Sequence, residues 1–134
     1  MKNIEILDLE KKSDERGWLI EVLGGDLPEG CKEFGQLHVS VAYPGKVRGN
    51  HYHTRKVEWF CVPAGKGLLL LKDRETGEAR EVLMGINNLK TIKIEPGAIH
   101  AIKNIGEENM VLIVYSNESF DPEDPDTFYE KILE

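Results

Sequence analysis

Gly45-Lys46-Val47-Arg48-Gly49-Asn50-His51-Tyr52-His53-Thr54-Arg55-Lys56-Val57-Glu58-Trp59-Phe60-Cys61-Val62 is the stretch on which the reading of this chain turns. Its offsets are Gly45-x5-His51-x-His53-x4-Glu58-x6-Gly65, and a second cluster, Pro96-Gly97-x2-His100-x3-Asn104, follows. Residues i and i+2 of a β-strand project from one face, so a strand here sets His51 and His53 side by side. Thr54-Arg55-Lys56 reads as a polar turn. The apolar run Val57 to Val62 then reads as a strand that returns antiparallel and brings the Glu58 carboxylate opposite the histidine pair. His100 joins from a distant hairpin. Three imidazoles and one carboxylate on a small all-β fold form a set that encloses one divalent ion. Imidazole suits zinc, copper, iron and nickel, and the carboxylate adds a hard oxygen that also suits manganese. A lone histidine on a half-buried strand is ordinarily a satisfied polar group. Here three of the four histidines fall on the motif offsets, and only His38 does not.

Along the rest of the chain the hydrophobic period is mostly two and turn residues recur often, the pattern of many short strands. Strands are predicted over Ile4 to Leu9, Trp18 to Leu23, Gln36 to Ala42, Val57 to Lys72, Arg80 to Leu83, Leu89 to Ile94, His100 to Asn104 and Met110 to Ser116. Eight short strands fit a jelly roll. Asp73 to Glu78 reads as a hairpin turn. Asp121-Pro122-Glu123-Asp124-Pro125-Asp126 separates the last strand from a short helix predicted over Thr127 to Leu133.

A length of 134 residues with 40% hydrophobic content suits one domain, residues 1–134. The amino-terminal residues lack an apolar signal segment, and no stretch approaches the roughly 18 uncharged residues that a membrane span needs. A cytoplasmic protein is expected, with Cys31 and Cys61 as free thiols. The net charge of -7 argues against a nucleic-acid partner and for a small molecule. Lys46, Arg48, Arg55 and Lys56 surround the histidine pair as a local basic cluster that would attract phosphate on that molecule.

The paired clusters resemble the two motifs of the cupin superfamily, which implies a double-stranded β-helix, the cupin jelly roll. Asp14-Glu15-Arg16-Gly17 and Val47-Arg48-Gly49-Asn50-His51-Tyr52 resemble the nucleotide-sugar epimerases of the dTDP-4-dehydrorhamnose 3,5-epimerase type. Phe34-Gly35-Gln36, Gly49-Asn50-His51-Tyr52-His53, Val111 to Asn117 and Phe120-Asp121-Pro122-Glu123-Asp124-Pro125-Asp126-Thr127 resemble the cupin half of the capsular-polysaccharide enzymes called CapF, whose other half is a reductase. The tail block is the most specific of these, because neither metal binding nor β-structure demands it. The resemblance implies a zinc-bearing cupin that epimerises a 4-keto-6-deoxy nucleotide sugar in surface polysaccharide biosynthesis. It also implies that Arg16, Gln36, His38, Arg48 and Lys56 contact substrate, and that a separate reductase is a partner. The rhamnose-type enzymes are similar at Arg48, Gly49 and His51 but use that histidine as a metal-free base. In this chain His53 and Glu58 turn the position into a ligand site.

Abstracting a proton beside a ketone needs a base and a group that stabilises the enolate oxygen, and a divalent ion can serve as the latter. With four ligands engaged, the base comes from His38, Tyr115 or a hydroxide at the ion; with His51 swung free, from His51 itself. Gln36, His38 and Ser40 alternate with Leu37, Val39 and Val41, so one face of that strand is polar and available to a pocket. The same ligand set also fits a dioxygenase with iron or nickel, and a non-catalytic sensor of nucleotide sugars is a third reading. An open sheet edge invites pairing with a second copy, so a homodimer is expected.

Overall fold

Gly65 divides the chain's longest apolar run and so decides how the two layers are built. It adopts φ +88, and a Cβ there would lie 2.7 Å from the Asn109 carbonyl oxygen, a conformation and a space open only to glycine. In the computed structural model, which describes residues 1–25 and 33–134, the chain therefore breaks between Ala64 and Lys66. The strands are β1 (Ile4–Asp8), β2 (Lys12–Asp14), β3 (Gly17–Leu19), β4 (Gln36–Ala42), β5 (Val47–Tyr52), β6 (Glu58–Ala64), β7 (Lys66–Asp73), β8 (Ala79–Gly85), β9 (Lys90–Ile94), β10 (Ala98–Asn104), β11 (Met110–Ser116) and β12 (Phe128–Tyr129). One antiparallel sheet has the order β1-β9-β6-β11-β4 and the other β12-β5-β10-β7-β8, with β2-β3 a separate hairpin. This is the expected all-β jelly roll.

The alternation of side chains fills the space between the sheets. Leu69 and Leu71 of β7, Met84 of β8, Ile92 and Ile94 of β9, Ile102 of β10 and Met110 of β11 are almost wholly buried and form one cluster. Each such aliphatic side chain contributes about 1.5–3 kcal/mol by leaving water. Cys61 is buried as a free thiol, and burial pushes it up to about 11; Cys31 lies outside the described residues. Among the described residues no helix is long and apolar enough to cross a membrane.

Four sequence expectations need correction or refinement. The run Val57 to Lys72 is not one strand but two, β6 and β7, in different sheets, for the reason Gly65 supplies. The strand expected through the histidine pair is β5, Val47–Tyr52, and it stops one residue before His53. Glu58 does come opposite the histidine pair, but not on a strand paired with theirs: β6 joins β9 and β11 in the opposite sheet, so the carboxylate reaches across the interior. The helix over Thr127 to Leu133 does not form. Seven residues are too few to hold a helix alone, and their backbone groups are taken by β5: Phe128 pairs with Tyr52 and Tyr129 with His51. Asn50 then accepts from the Ile132 and Leu133 amides at 2.8 and 3.0 Å through its Oδ1, and the Phe128 ring stacks on Tyr52.

Gly49 has φ +99, and a Cβ there would lie 2.7 Å from the His100 carbonyl oxygen. Gly49→Ala is expected to cost about 1–3 kcal/mol from backbone strain, with more from the clash. Chemical denaturation of the metal-free protein measures it; an unchanged midpoint would show that the backbone here is not constrained.

Candidate metal centre

The two histidine clusters meet because β5 and β10 are neighbours. His51 pairs directly with His100, and the register shifts between His100 and Ala101, so that Ala101 faces Gly49 and Asn50 is the extra residue. Asn50 takes φ 60, a left-handed conformation that asparagine tolerates better than most residues. The bulge aims His51 into the interior beside His100, with ring centroids 4.7 Å apart. His53 follows just past the end of β5, 5.1 Å from His51 by ring centroid. Glu58, the first residue of β6, faces them from the other sheet. One ligand atom from each of His51, His53, Glu58 and His100 lies within 4.8 Å of every other.

Hydrogen bonds fix which nitrogens point inward. His53 Nδ1 lies 2.7 Å from the Asp126 carbonyl oxygen and His100 Nδ1 lies 3.0 Å from that of Ala98. A carbonyl only accepts, so both Nδ1 atoms carry hydrogen and donate. In the neutral rings the Nε2 atoms are therefore bare lone pairs. Both face the same oxygen, Glu58 Oε1, at 2.9 and 3.2 Å. His100 Nε2 is buried with no partner of hydrogen-bond geometry. A proton satisfies one of these contacts at a time, whereas a cation satisfies all of them, and a set of three imidazoles and a carboxylate fits a divalent transition ion.

The electrostatics agree. Burial, reinforced by His100 and His53, pushes His51 down to about 4, so it is a neutral ligand at physiological pH. Burial favours protonated Glu58, but the close approach of His100 and His53 and their positive charge when protonated outweigh it and hold the carboxyl far below its ordinary range. For His53 burial acts downward, and the hydrogen bond and charge of Glu58 overcome it, so its value is raised. His53 in the metal-free site thus holds a proton more tightly than a free imidazole does, and a cation must displace that proton. Asp126 is also held well below the usual carboxylate range: burial opposes this, but Thr54 and the amides of Lys56, Thr54 and Arg55 prevail.

A cavity of about 580 Å³ opens over the site. The polar face of β4 lines it through Gln36, His38 and Ser40, as do Arg48 and Lys56. Lys56 is buried, and its ammonium lies 5.3 Å from the Phe120 ring centroid at the cavity wall. Arg48 and Lys56 form no ion pair among the described residues. Arg55 is committed to Glu118 at 2.7 Å and Asp124 at 3.2 Å. Tyr115 is not brought to the cavity: Val114 and Ser116 line it, so alternation turns Tyr115 to the other face of β11, where its hydroxyl accepts from the Gly35 amide. Arg16 sits on the β2-β3 hairpin, bound to Asp14 at 2.6 Å and away from this cavity. Sequence reasoning missed Ser116, whose buried hydroxyl has no partner, and also Phe120 and Asp126. Only the unexplained tail block pointed toward the last two.

Fold and site together define a cupin whose interior gathers three histidines and a glutamate, a group that could hold a metal ion. The chain belongs to the polysaccharide biosynthesis C-terminal domain family, whose profile matches residues 12–128. It is 34% identical over 121 residues to a UDP-2-acetamido-2,6-beta-L-arabino-hexul-4-ose reductase of Pseudomonas aeruginosa, covering 90% of this chain and 31% of that protein. It is also 34% identical over 130 residues to Agl13 of Haloferax volcanii, named a probable low-salt glycan biosynthesis epimerase, covering 92% of this chain and 83% of the relative. The capsular polysaccharide assembling protein CapF of Staphylococcus aureus superposes with a TM-score of 0.72 at 33% identity, over 92% of this chain and 34% of CapF. The chain thus spans about a third of the length of the reductase and of CapF. RmlC of Legionella pneumophila, a dTDP-6-deoxy-D-glucose-3,5-epimerase, shares the fold at a TM-score of 0.83 and 21% identity, over 99% of this chain and 75% of that one. The relatives are nucleotide-sugar epimerases and reductases of polysaccharide biosynthesis.

Since a cation must displace the proton held between His53 and Glu58, zinc affinity is expected to rise with pH until His53 is deprotonated, above the ordinary imidazole value of about 6.5. Isothermal titration in buffers of different ionisation enthalpy measures the released proton; no release at pH 6 would contradict the arrangement.

Proposed function

We propose that this chain is a metal-dependent cupin epimerase or isomerase that moves a proton beside the ketone of a 4-keto-6-deoxy nucleotide sugar. The observation that carries the reading is the placement of an unliganded imidazole, His38, on the wall of the same cavity as the four-ligand centre. The names of the relatives supply the substrate class. Zinc is the ion we assign, held by His51, His53, Glu58 and His100; when bound, it supplies Lewis acidity toward a carbonyl oxygen.

The chain's own residues account for the rest. Outside the ligand set, the titratable side chains lining the cavity are His38, Arg48, Lys56 and Glu118. Arg48 and Lys56 are cations, and Glu118 is paired with Arg55. His38 is therefore the group that takes the proton from carbon, with the neutral imidazole accepting it and returning it to either face. Tyr115 is excluded by its orientation. Arg48 and Lys56 supply positive charge for the diphosphate, and the apolar wall of Phe60, Leu112 and Val114 excludes water from the reacting carbon.

The proposal extends to assembly and partners. β4 is an edge strand whose outer face exposes Leu37, Val39 and Val41, and pairing with a second copy would cover it. A separate reductase, the counterpart of the remaining length of CapF and of the Pseudomonas reductase, would act on the same keto sugar.

Incubation with 4-keto-6-deoxy nucleotide sugars in deuterated water should add one or more mass units per sugar, and chelation should stop it. His38→Asn is expected to slow exchange by about 100-fold or more while zinc content stays at one ion per chain. Sugar that binds without exchanging would contradict the epimerase reading and favour a binding role.

A further inference from the structure

The tail block Asp121 to Thr127 is demanded by neither the strands nor the four ligands, yet the fold brings it to the centre. Asp126 is 4% exposed and takes φ 47, a left-handed backbone conformation. Its main-chain oxygen accepts the His53 Nδ1 hydrogen at 2.7 Å. Its carboxylate is the acceptor for residues 54–56 of the turn that links His53 to Glu58, and Asn117 Oδ1 accepts the Val57 amide. Oδ1 accepts from the Thr54 amide at 3.0 Å and from the Thr54 hydroxyl. Oδ2 accepts from the amides of Arg55 at 2.8 Å and Lys56 at 2.9 Å.

One residue thus sets the direction of one ligand and the path of the chain to the next. From these contacts we infer that Asp126 is the positioning residue of the metal centre: its carbonyl holds His53 in the Nδ1–H tautomer with Nε2 inward, and its carboxylate holds turn 54–56 so that Glu58 meets that nitrogen. A ring whose outer nitrogen is bound to a fixed acceptor cannot rotate out of the site, and Nε2 is aimed at the ion's position before the ion arrives. The carboxylate matters because it has enough acceptor sites for all four donors; an amide in its place turns one pair of N–H groups toward an NH₂ that only donates. The inference rests on the metal reading of the site, and it does not depend on the epimerase chemistry.

Asp126→Asn keeps the size and the tolerance of a left-handed backbone while removing that acceptor capacity. Zinc affinity is measured by competition with a chromophoric chelator, and ligand geometry by the visible bands of the cobalt(II) form. Val82→Ala, a core change in β8, controls for lost stability. Asp126→Asn is expected to weaken zinc by about 10- to 100-fold and to shift the cobalt bands, and Val82→Ala to lower the melting temperature with neither effect. Affinity and spectrum unchanged in Asp126→Asn would overturn the inference, as would equal losses in both variants. Should Asp126→Asn fail to fold, Thr54→Val, which removes one donor, should weaken zinc several-fold; unchanged affinity there overturns it equally. Wild-type chain that binds neither zinc nor cobalt would remove the metal reading itself, a result distinct from the loss of this inference alone.

Discussion

Two imidazole nitrogens that face one carboxylate oxygen, at 2.9 and 3.2 Å, form the contact on which the rest of this molecule depends. The backbone carbonyls of Asp126 and Ala98 have already claimed the outer nitrogens, so the inner ones are left to meet the carboxylate, a proton or a cation. Acceptors do not cluster in a buried space without a proton or a cation between them. The fold assembles this arrangement from both sheets: His51 and His100 come from adjacent strands of one, and Glu58 comes from the other. Loss of the two-layer packing would disperse the ligands.

The site is also asymmetric in a way that suits chemistry on a carbonyl compound. One side is closed by Phe60, whose ring lies edge-on to His100 with centroids 5.5 Å apart, and the other opens to a cavity with cationic and imidazole groups on its wall. Among the described residues Arg48 and Lys56 lie there without carboxylate partners, while the neighbouring Arg55 is neutralised by Glu118 and Asp124. The chain is acidic overall, yet these two cations sit on the cavity wall, where they would attract an anionic ligand.

The gathering of His51, His53, Glu58 and His100 was legible in the sequence because metal coordination imposes spacing: an i, i+2 pair needs only a strand, and the offsets of Glu58 and His100 repeat a known pattern. Gln36–Ala42 and Met110–Ser116 were legible to the residue, and the two strands pair with each other in unbroken register along their whole length. The break at Gly65 was hidden, since periodicity cannot tell one long strand from two that cross between sheets. The tail was misread for a related reason. Thr127 to Leu133 has no acceptor of its own in sequence, and the groups that claim it, Asn50 and the edge of β5, lie far along the chain. The orientation of Tyr115 follows from strand alternation once Val114 and Ser116 are known to face inward, but the sequence does not say which face that is. Asp126 carried no local signal for its part in the site, because its role exists only in three dimensions.

X-ray absorption at the zinc edge of the metal-loaded chain tests the central claim most directly. The account predicts a first shell of nitrogen and oxygen only, with multiple scattering from three imidazoles. A shell containing sulfur, or one with fewer than two imidazoles, would contradict it.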